Sequence, residues 1–363
     1  MLRLRSAQPP LGAAPLEACV QALCAVTAAS EAAWAYAVRA GAYEGVVRCA
    51  EAYPDDEYMQ AVLCVSVLSL GSRGSMATAQ TWPGHSAAAA RAGAVRAVAA
   101  TARKHGTQSP RLLTVLSTTL LSMLSGDDVD WDAMRSSRVA TSLAAGLAVA
   151  LRGETEARCD PGCVLNTSMA LSALAHDKQC AQEAARGGAL LSLAAALRTR
   201  VSDLHDATMI CSALQRVAAH APAAALARAA DAVFAALRLA LSVQRDSSLL
   251  QHTAWHTFLV LLHDDVAAQS RAVASGLLGD AVRTMERSVA SRGDEDAALA
   301  AEGACLVLDR LCDELDDSHA ANRQAAGAAG AVPAIMAAMR AHGIAHSRVA
   351  IATCALLSPA WCT

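Results

Sequence analysis

One unit recurs along this chain and leaves few folds open: a short helical stretch, a glycine, an apolar helix, a turn and a second apolar helix. Its clearest copy lies near the end, Asn322 to Leu357, reading NRQAAGAAGAVPAIMAAMRAHGIAHSRVAIATCALL. Asn322 is expected to cap a short helix through Ala329. Gly330 breaks that helix, because only glycine takes positive φ freely. Pro333 suits the first turn of the next helix, and Val332, Ile335, Met336 and Met339 fall on one face at helical spacing. His342 and Gly343 close it, and Arg348 to Leu357 begins another. The steps Gly41–Gly93, Gly93–Gly188 and Gly188–Gly330 divide into one, two and three units of about 52, 47 and 47 residues. That period belongs with helical repeats of about 40–47 residues and not with those of about 34.

The other copies are AYEGVVRCAEAY after Gly41, AARAGAVRAVAATARKHG around Gly93 and KQCAQEAARGGALLSLAAALRTR around Gly188. A third copy, SSRVATSLAAGLAVALRG, is degenerate. The fifth, ALARAADAVFAALRLAL, has Ala230 or Asp231 where the glycine should stand. The sixth, QSRAVASGLLGDAVRTMERSVASRG, places its landmark at Gly279. Residues 1–15 hold three prolines and no sustained periodicity, so they read as a tail or a short targeting stub. Leu16 to Arg39 reads as helix, and Asp55 or Asp56 as the cap of a helix from Glu57 to Leu70.

Composition agrees with helices throughout. The chain is 54% hydrophobic, but alanine supplies much of that, and aromatic residues are only 3%. Alanine is the best helix former and buries little area. Strands favour the β-branched and aromatic residues that are scarce here. A net charge of −3 gives no electrostatic case for nucleic acid. No uncharged apolar run reaches the ~20 residues of a spanning helix. Twelve cysteines without disulfide-framework spacing read as small core residues in a reducing compartment.

The residues also resemble the armadillo family. AGAVPAIMAAM, RGGALLSLAAAL and RAGAVRAVAATA resemble its glycine followed by a long apolar helix, and MALSALA, ICSALQRVA and CALLSPA resemble its closing helix. The resemblance implies an all-α fold, a right-handed α-solenoid of about seven armadillo-like, HEAT-like helical repeats. It spans 16–363 as a single array after the tail. It also implies that the last helix of each repeat lines a concave face that grips partner proteins. In the importin-α type an asparagine on that face clamps a peptide, with a tryptophan four residues earlier. Aligned here, the asparagine positions are Ser69, Ser122, Ala173, Arg216, Leu259, Arg310 and Ser358, and only Trp255 fills a tryptophan position. The asparagine ladder is missing, so nuclear-signal cargo is not expected. Arg216, Trp255 and Arg310 are the expected partner-binding residues, the two arginines as forks for carboxylates.

No motif supports chemistry or a cofactor. Asp128, Asp130 and Asp132 start like a calcium loop, but Ala133 and Val139 stand where it needs glycine and glutamate. Cys159 and Cys163 could hold a metal with His176 or Cys180, but lack a matching second pair. His252/His256 and His342/His346 are four apart without an intervening glutamate, and are read as solvent-facing or interface histidines. There is no phosphate loop and no nucleophile elbow. The expectation is therefore a non-catalytic, cytoplasmic interaction scaffold. A fixed structural subunit of a ciliary, axonemal or organellar assembly is the alternative. The chain ends soon after residue 358 without a polar cap, so a partner, a second copy or the remainder of a longer chain is expected at that end.

Overall fold

The computed structural model describes residues 13–72, 81–126, 129–152, 161–263, 266–291, 293–312 and 320–342. The expected tail up to residue 12 and the final helix at 348–358 lie outside them. The chain divides into two compact units, Met1–Ala189 and Leu190–Thr363. The described residues form twenty α-helices and no strand beyond one isolated bridge between Ser72 and Thr81.

Each unit is built from helical repeats, of three helices where a left-handed residue parts the first from the second. The first unit opens with α1 (Ala13–Ala29), followed by the triplet α2 (Glu31–Arg39), α3 (Ala42–Ala52) and α4 (Glu57–Gly71). The next triplet is α5 (His85–Arg91), α6 (Ala94–His105) and α7 (Pro110–Leu124). Then come α8 (Trp131–Ser137), α9 (Val139–Arg152) and α10 (Pro161–Leu174), and α11 (Lys178–Arg186). The second unit holds α12 (Ala189–Arg200) and α13 (Leu204–His220), then α14 (Ala223–Val243) and α15 (Ser248–Leu262). It continues with α16 (Val266–Ala274), α17 (Leu277–Ala290) and α18 (Glu295–Leu311), then α19 (Ala320–Ala328) and α20 (Ala331–His342). The all-α, helical-repeat class expected from the sequence is the observed one.

The break between first and second helix is a left-handed residue. Gly41, Gly93, Gly188, Gly276 and Gly330 all have φ between 82° and 90°. Three expectations change here. The sixth landmark is Gly276, since Gly279 lies within α17. The degenerate third copy keeps its break through Arg138 at φ 52°, a conformation that costs a non-glycine residue roughly 1–2 kcal/mol. The fifth copy has no break: Ala230 and Asp231 are inside α14, one helix of 21 residues. Without a residue that tolerates positive φ, two helices that would have turned run on as one.

Third helices begin at polar caps. Asp56, Ser109, Asp203 and Ser247 accept the backbone N–H of Met59, Leu112, Asp206 and Leu250 at 3.0–3.3 Å. Each cap satisfies a donor that the helix cannot. Ser30 does the same for α2, accepting from Ala33 at 3.2 Å, and so splits the helix expected over Leu16–Arg39. Asn322 is not a cap; it lies inside α19, and its side-chain amide donates to the Leu311 carbonyl at 2.8 Å.

Successive third helices pack on one another, α4 on α7 and α7 on α10 in the first unit, α13 on α15 and α15 on α18 in the second. Leu112, Leu113, Leu116 and Leu120 of α7 are buried, as are alanines such as Ala94, Ala99 and Ala102 of α6. Small residues bring backbones close. A Cβ on Gly303 of α18 would stand 2.7 Å from Cβ of Trp255 in α15.

A recurring side-chain staple joins neighbouring repeats. Gln60, four residues past its cap, donates to the carbonyls of Ala50 and Tyr53 at 2.9 and 2.8 Å. Its oxygen accepts the Thr101 hydroxyl of α6 at 2.5 Å. Gln251, again four past its cap, donates to Leu241 and Gln244 at 3.0 and 3.3 Å and accepts from Thr284 of α17 at 3.1 Å. Each staple adds a side-chain donor to carbonyls at a helix end, where the helical ladder runs out.

Candidate functional site

The third helices carry the residues expected to bind a partner, and their caps give a common register. Counted from the cap, Arg216 is the thirteenth residue of its helix, Leu259 the twelfth and Arg310 the sixteenth. Val260, not Leu259, is therefore level with Arg216, and Arg310 lies almost a turn further along α18. Since α15 packs against both α13 and α18, Arg216 and Arg310 belong to helices on either side of it. Arg216 is exposed and Arg310 half-buried. Ser358 lies outside the described residues.

Trp255 is placed differently from the expectation. It is the eighth residue past its cap, level with Cys64, Ser117 and Cys211, and all four have 0% exposure. Its indole N–H donates to Thr284 Oγ1 at 3.2 Å, and its ring lies 5.5 Å from that of Phe258. Trp255 is a core residue and offers a partner no surface. The sequence alignment set it on the binding face because it ignored the cap that fixes helix rotation.

On four third helices the face turned out from the core falls at positions five, nine and thirteen past the cap, whereas on α18 positions nine and thirteen are the buried Gly303 and Val307. It carries Ala61, Val65 and Ser69 on α4, and Thr114, Thr118 and Ser122 on α7. On α13 it carries Thr208, Ser212 and Arg216, and on α15 His252, His256 and Val260. Most are half-buried or exposed, while Ser122 is 9% exposed. The His252 and His256 rings meet edge-on at 4.5 Å on the half-buried side of α15. His342 departs from its expectation: it is buried, and its Nε2–H donates to the Ser288 carbonyl at 3.0 Å. His346 lies outside the described residues.

The other sequence candidates have structural work. Asp130 caps α8 through the Ala133 N–H at 2.9 Å, and Asp132 pairs with Arg135 at 2.9 Å. Asp128 and Cys159 lie outside the described residues. Cys163 and Cys180 are wholly buried. Burial pushes the thiols of Cys64, Cys180, Cys211, Cys305 and Cys312 up to about 12, far from thiolate formation. Among the described residues no group of three or more His, Cys, Asp or Glu side chains is arranged to hold a metal. Nor, among them, is any helix long and apolar enough to cross a membrane.

Sequence reasoning missed one constellation, because its members are 42 and 37 residues apart. The Tyr43 hydroxyl meets His85 Nδ1 at 2.5 Å, and His85 Nε2 meets Ser122 Oγ at 3.4 Å. Gly71 backs onto the imidazole, where a Cβ would stand 2.3 Å away. Burial raises the pKa of Tyr43, so the phenol keeps its proton. This arrangement ties α3, α5 and α7 together in the core.

No family model matches the sequence, and no curated protein matches it. Solved structures do. Two crystal structures of engineered proteins from a structural genomics consortium superpose with TM-scores of 0.50 and 0.52, at 17% and 15% identity. The first covers 69% of this chain and 93% of its own, the second 73% and 97%. At such identities the likeness speaks for fold alone.

Proposed function

We propose that the chain is a non-catalytic interaction scaffold of the armadillo type, binding partner proteins along the outward face of its third helices, in the cytoplasm. One observation carries this reading: on α4, α7, α13 and α15 the cap register repeats the same outward positions, so each unit lays a row of side chains outside its core. Extended rows of this kind are how stacked repeats engage partners. Arg216 and Arg310 supply guanidinium forks to carboxylates on the bound protein. Trp255 is not part of this surface.

The test is affinity purification of the tagged chain from its native cells at low and high salt, with mass spectrometry of what is retained. A varied set released by salt is expected, and Arg216→Glu with Arg310→Glu is expected to lose part of it. A stoichiometric set that survives high salt would replace the reading with that of a fixed structural subunit. An unchanged partner set in the double variant would remove the two arginines from the binding face.

A further inference from the structure

The two interhelical staples are alike except where a cation sits. In the first unit Lys104, eleven residues past Gly93, forms a salt bridge with Asp55, one residue before the helix cap. Beside it His105 is buried and donates to the Pro54 carbonyl at 3.0 Å. The matching positions in the second unit are Arg287, eleven past Gly276, and Asp246, one before the Ser247 cap. Here the pair is not made. Asp246 lies 3.9 Å from Arg245, and the Arg287 guanidinium donates to neutral atoms instead. It donates to Gln251 Oε1 at 3.4 Å, Thr284 Oγ1 at 3.3 Å and the Arg283 carbonyl at 3.2 Å. Such long bonds are at the weak end of the range.

The position of His105 is taken by Ser288, and the smaller side chain leaves space. A cleft of about 220 Å³ opens there, lined by Arg245, Arg287, Ser248, Gln251, Ser288 and Ser291 among others. Next to it runs a groove of about 450 Å³ that shares Arg245 and Arg287. Of the acids along that groove, Asp280 is already held by Arg238 at 2.7 Å and by Arg283. Arg287 thus has only neutral hydrogen-bond acceptors among the described residues. Burial, with the like charges of Arg283 and Arg245, lowers its pKa, against the pull of the Asp246 and Asp280 carboxylates.

We infer that this cleft binds a carboxylate side chain of an extended acidic segment of a partner protein, with Arg287 as the receiving fork and Arg245 at the rim. A planar guanidinium matches a carboxylate in two parallel hydrogen bonds. A doubly charged phosphate fits less well, because Asp246, Asp280 and Glu286 line the same walls. The groove continuing from the cleft gives the rest of an extended chain somewhere to lie. The inference rests on the scaffold reading but uses a different surface, at the turn between second and third helices.

The experiment is fluorescence anisotropy with a labelled oligoglutamate peptide, an oligoglutamine peptide as control, and inorganic phosphate or acetate as competitor. Oligoglutamate is expected to bind and oligoglutamine not. Arg287→Gln should weaken binding by about tenfold. Arg287→Lys should recover only part, since it restores charge without the fork. Ser288→His, which refills the cleft as in the first unit, should also weaken binding. Thermal unfolding confirms that each variant is folded, and Arg228→Gln, an exposed arginine near the start of α14, should bind as the parent does. Equal binding of the two peptides, or full binding by folded Arg287→Gln and Ser288→His, overturns the inference. Competition by phosphate far stronger than by acetate overturns the carboxylate assignment. If these fail while native partners are still lost on substituting Arg216 and Arg310, the scaffold reading stands and the cleft alone is refuted.

Discussion

Asp177 shows how much one side chain can hold. It caps α11 through the Cys180 N–H at 2.9 Å and takes the Arg135 guanidinium at 2.7 Å, 42 residues away in α8. The Arg135 hydrogen bond, with help from the Cys180 N–H and against the upward push of burial, holds its carboxyl down at about 2. An unfolded aspartate titrates near ~3.9. Because the folded value is lower, this stabilisation is complete above the unfolded value and is lost as pH falls from about 4 towards about 2. Asp177→Ala should cost about 1–2 kcal/mol at neutral pH, read from urea denaturation. That cost should shrink in acid. Gly303 is the opposite case, a residue whose value is what it lacks. Gly303→Ala gains helix propensity of about 1 kcal/mol but sets its Cβ 2.7 Å from that of Trp255. Overpacking of this kind costs about 1–3 kcal/mol, so net destabilisation is expected in the same assay. A stabilised Gly303→Ala would mean that α15 and α18 can separate freely.

At the scale of the element, the left-handed residue decides whether a repeat has three helices or two. Arg138 holds the break between α8 and α9 at φ 52°, against its own preference. Arg138→Gly should therefore stabilise the protein by up to about 1 kcal/mol, less the extra entropy glycine adds to the unfolded chain. Chemical denaturation of the variant checks this. In the fifth copy the loss of the glycine was legible, but its consequence, the continuous α14, was not. Alanine and aspartate do not forbid a turn; they merely make the uninterrupted helix cheaper. The staples belong to this scale too. Gln60→Ala and Gln251→Ala each remove a side-chain donor from two carbonyls at a helix end, while Ala50, Tyr53 and Gln244 keep a backbone donor. Each should cost about 1 kcal/mol in equilibrium unfolding. A glutamine four residues past a capping Asp or Ser is a visible signal. Its threonine partner is not, because Thr101 lies 41 residues on and Thr284 only 33, the stagger being set by packing.

For the molecule as a whole, both units bury their cysteines as small apolar residues. Native alkylation at mildly alkaline pH should spare Cys64, Cys180, Cys211, Cys305 and Cys312 and modify the half-buried Cys19, as mass spectrometry of the labelled peptides would show. Labelling of the five in the folded protein would contradict the packing of both units. The sequence alone determined the helical class, the cap before α4 and the breaks at Gly41, Gly93, Gly188 and Gly330. These depend on local rules: the 3.6-residue period of apolar side chains, the acceptor a helix start requires, and the freedom of glycine at positive φ. What it could not determine is which way each helix is rotated once packed. Trp255 reads as a surface residue and is core; His342 reads as exposed or at an interface and is buried against Ser288. Arg287 reads like any helix-end arginine, yet stands in a cleft because Ser288 is smaller than its counterpart His105. Rotation and cavity alike are set by neighbouring repeats some forty to fifty residues away. Only the tertiary structure brings those residues together, so only it decided which side chains face out from the core.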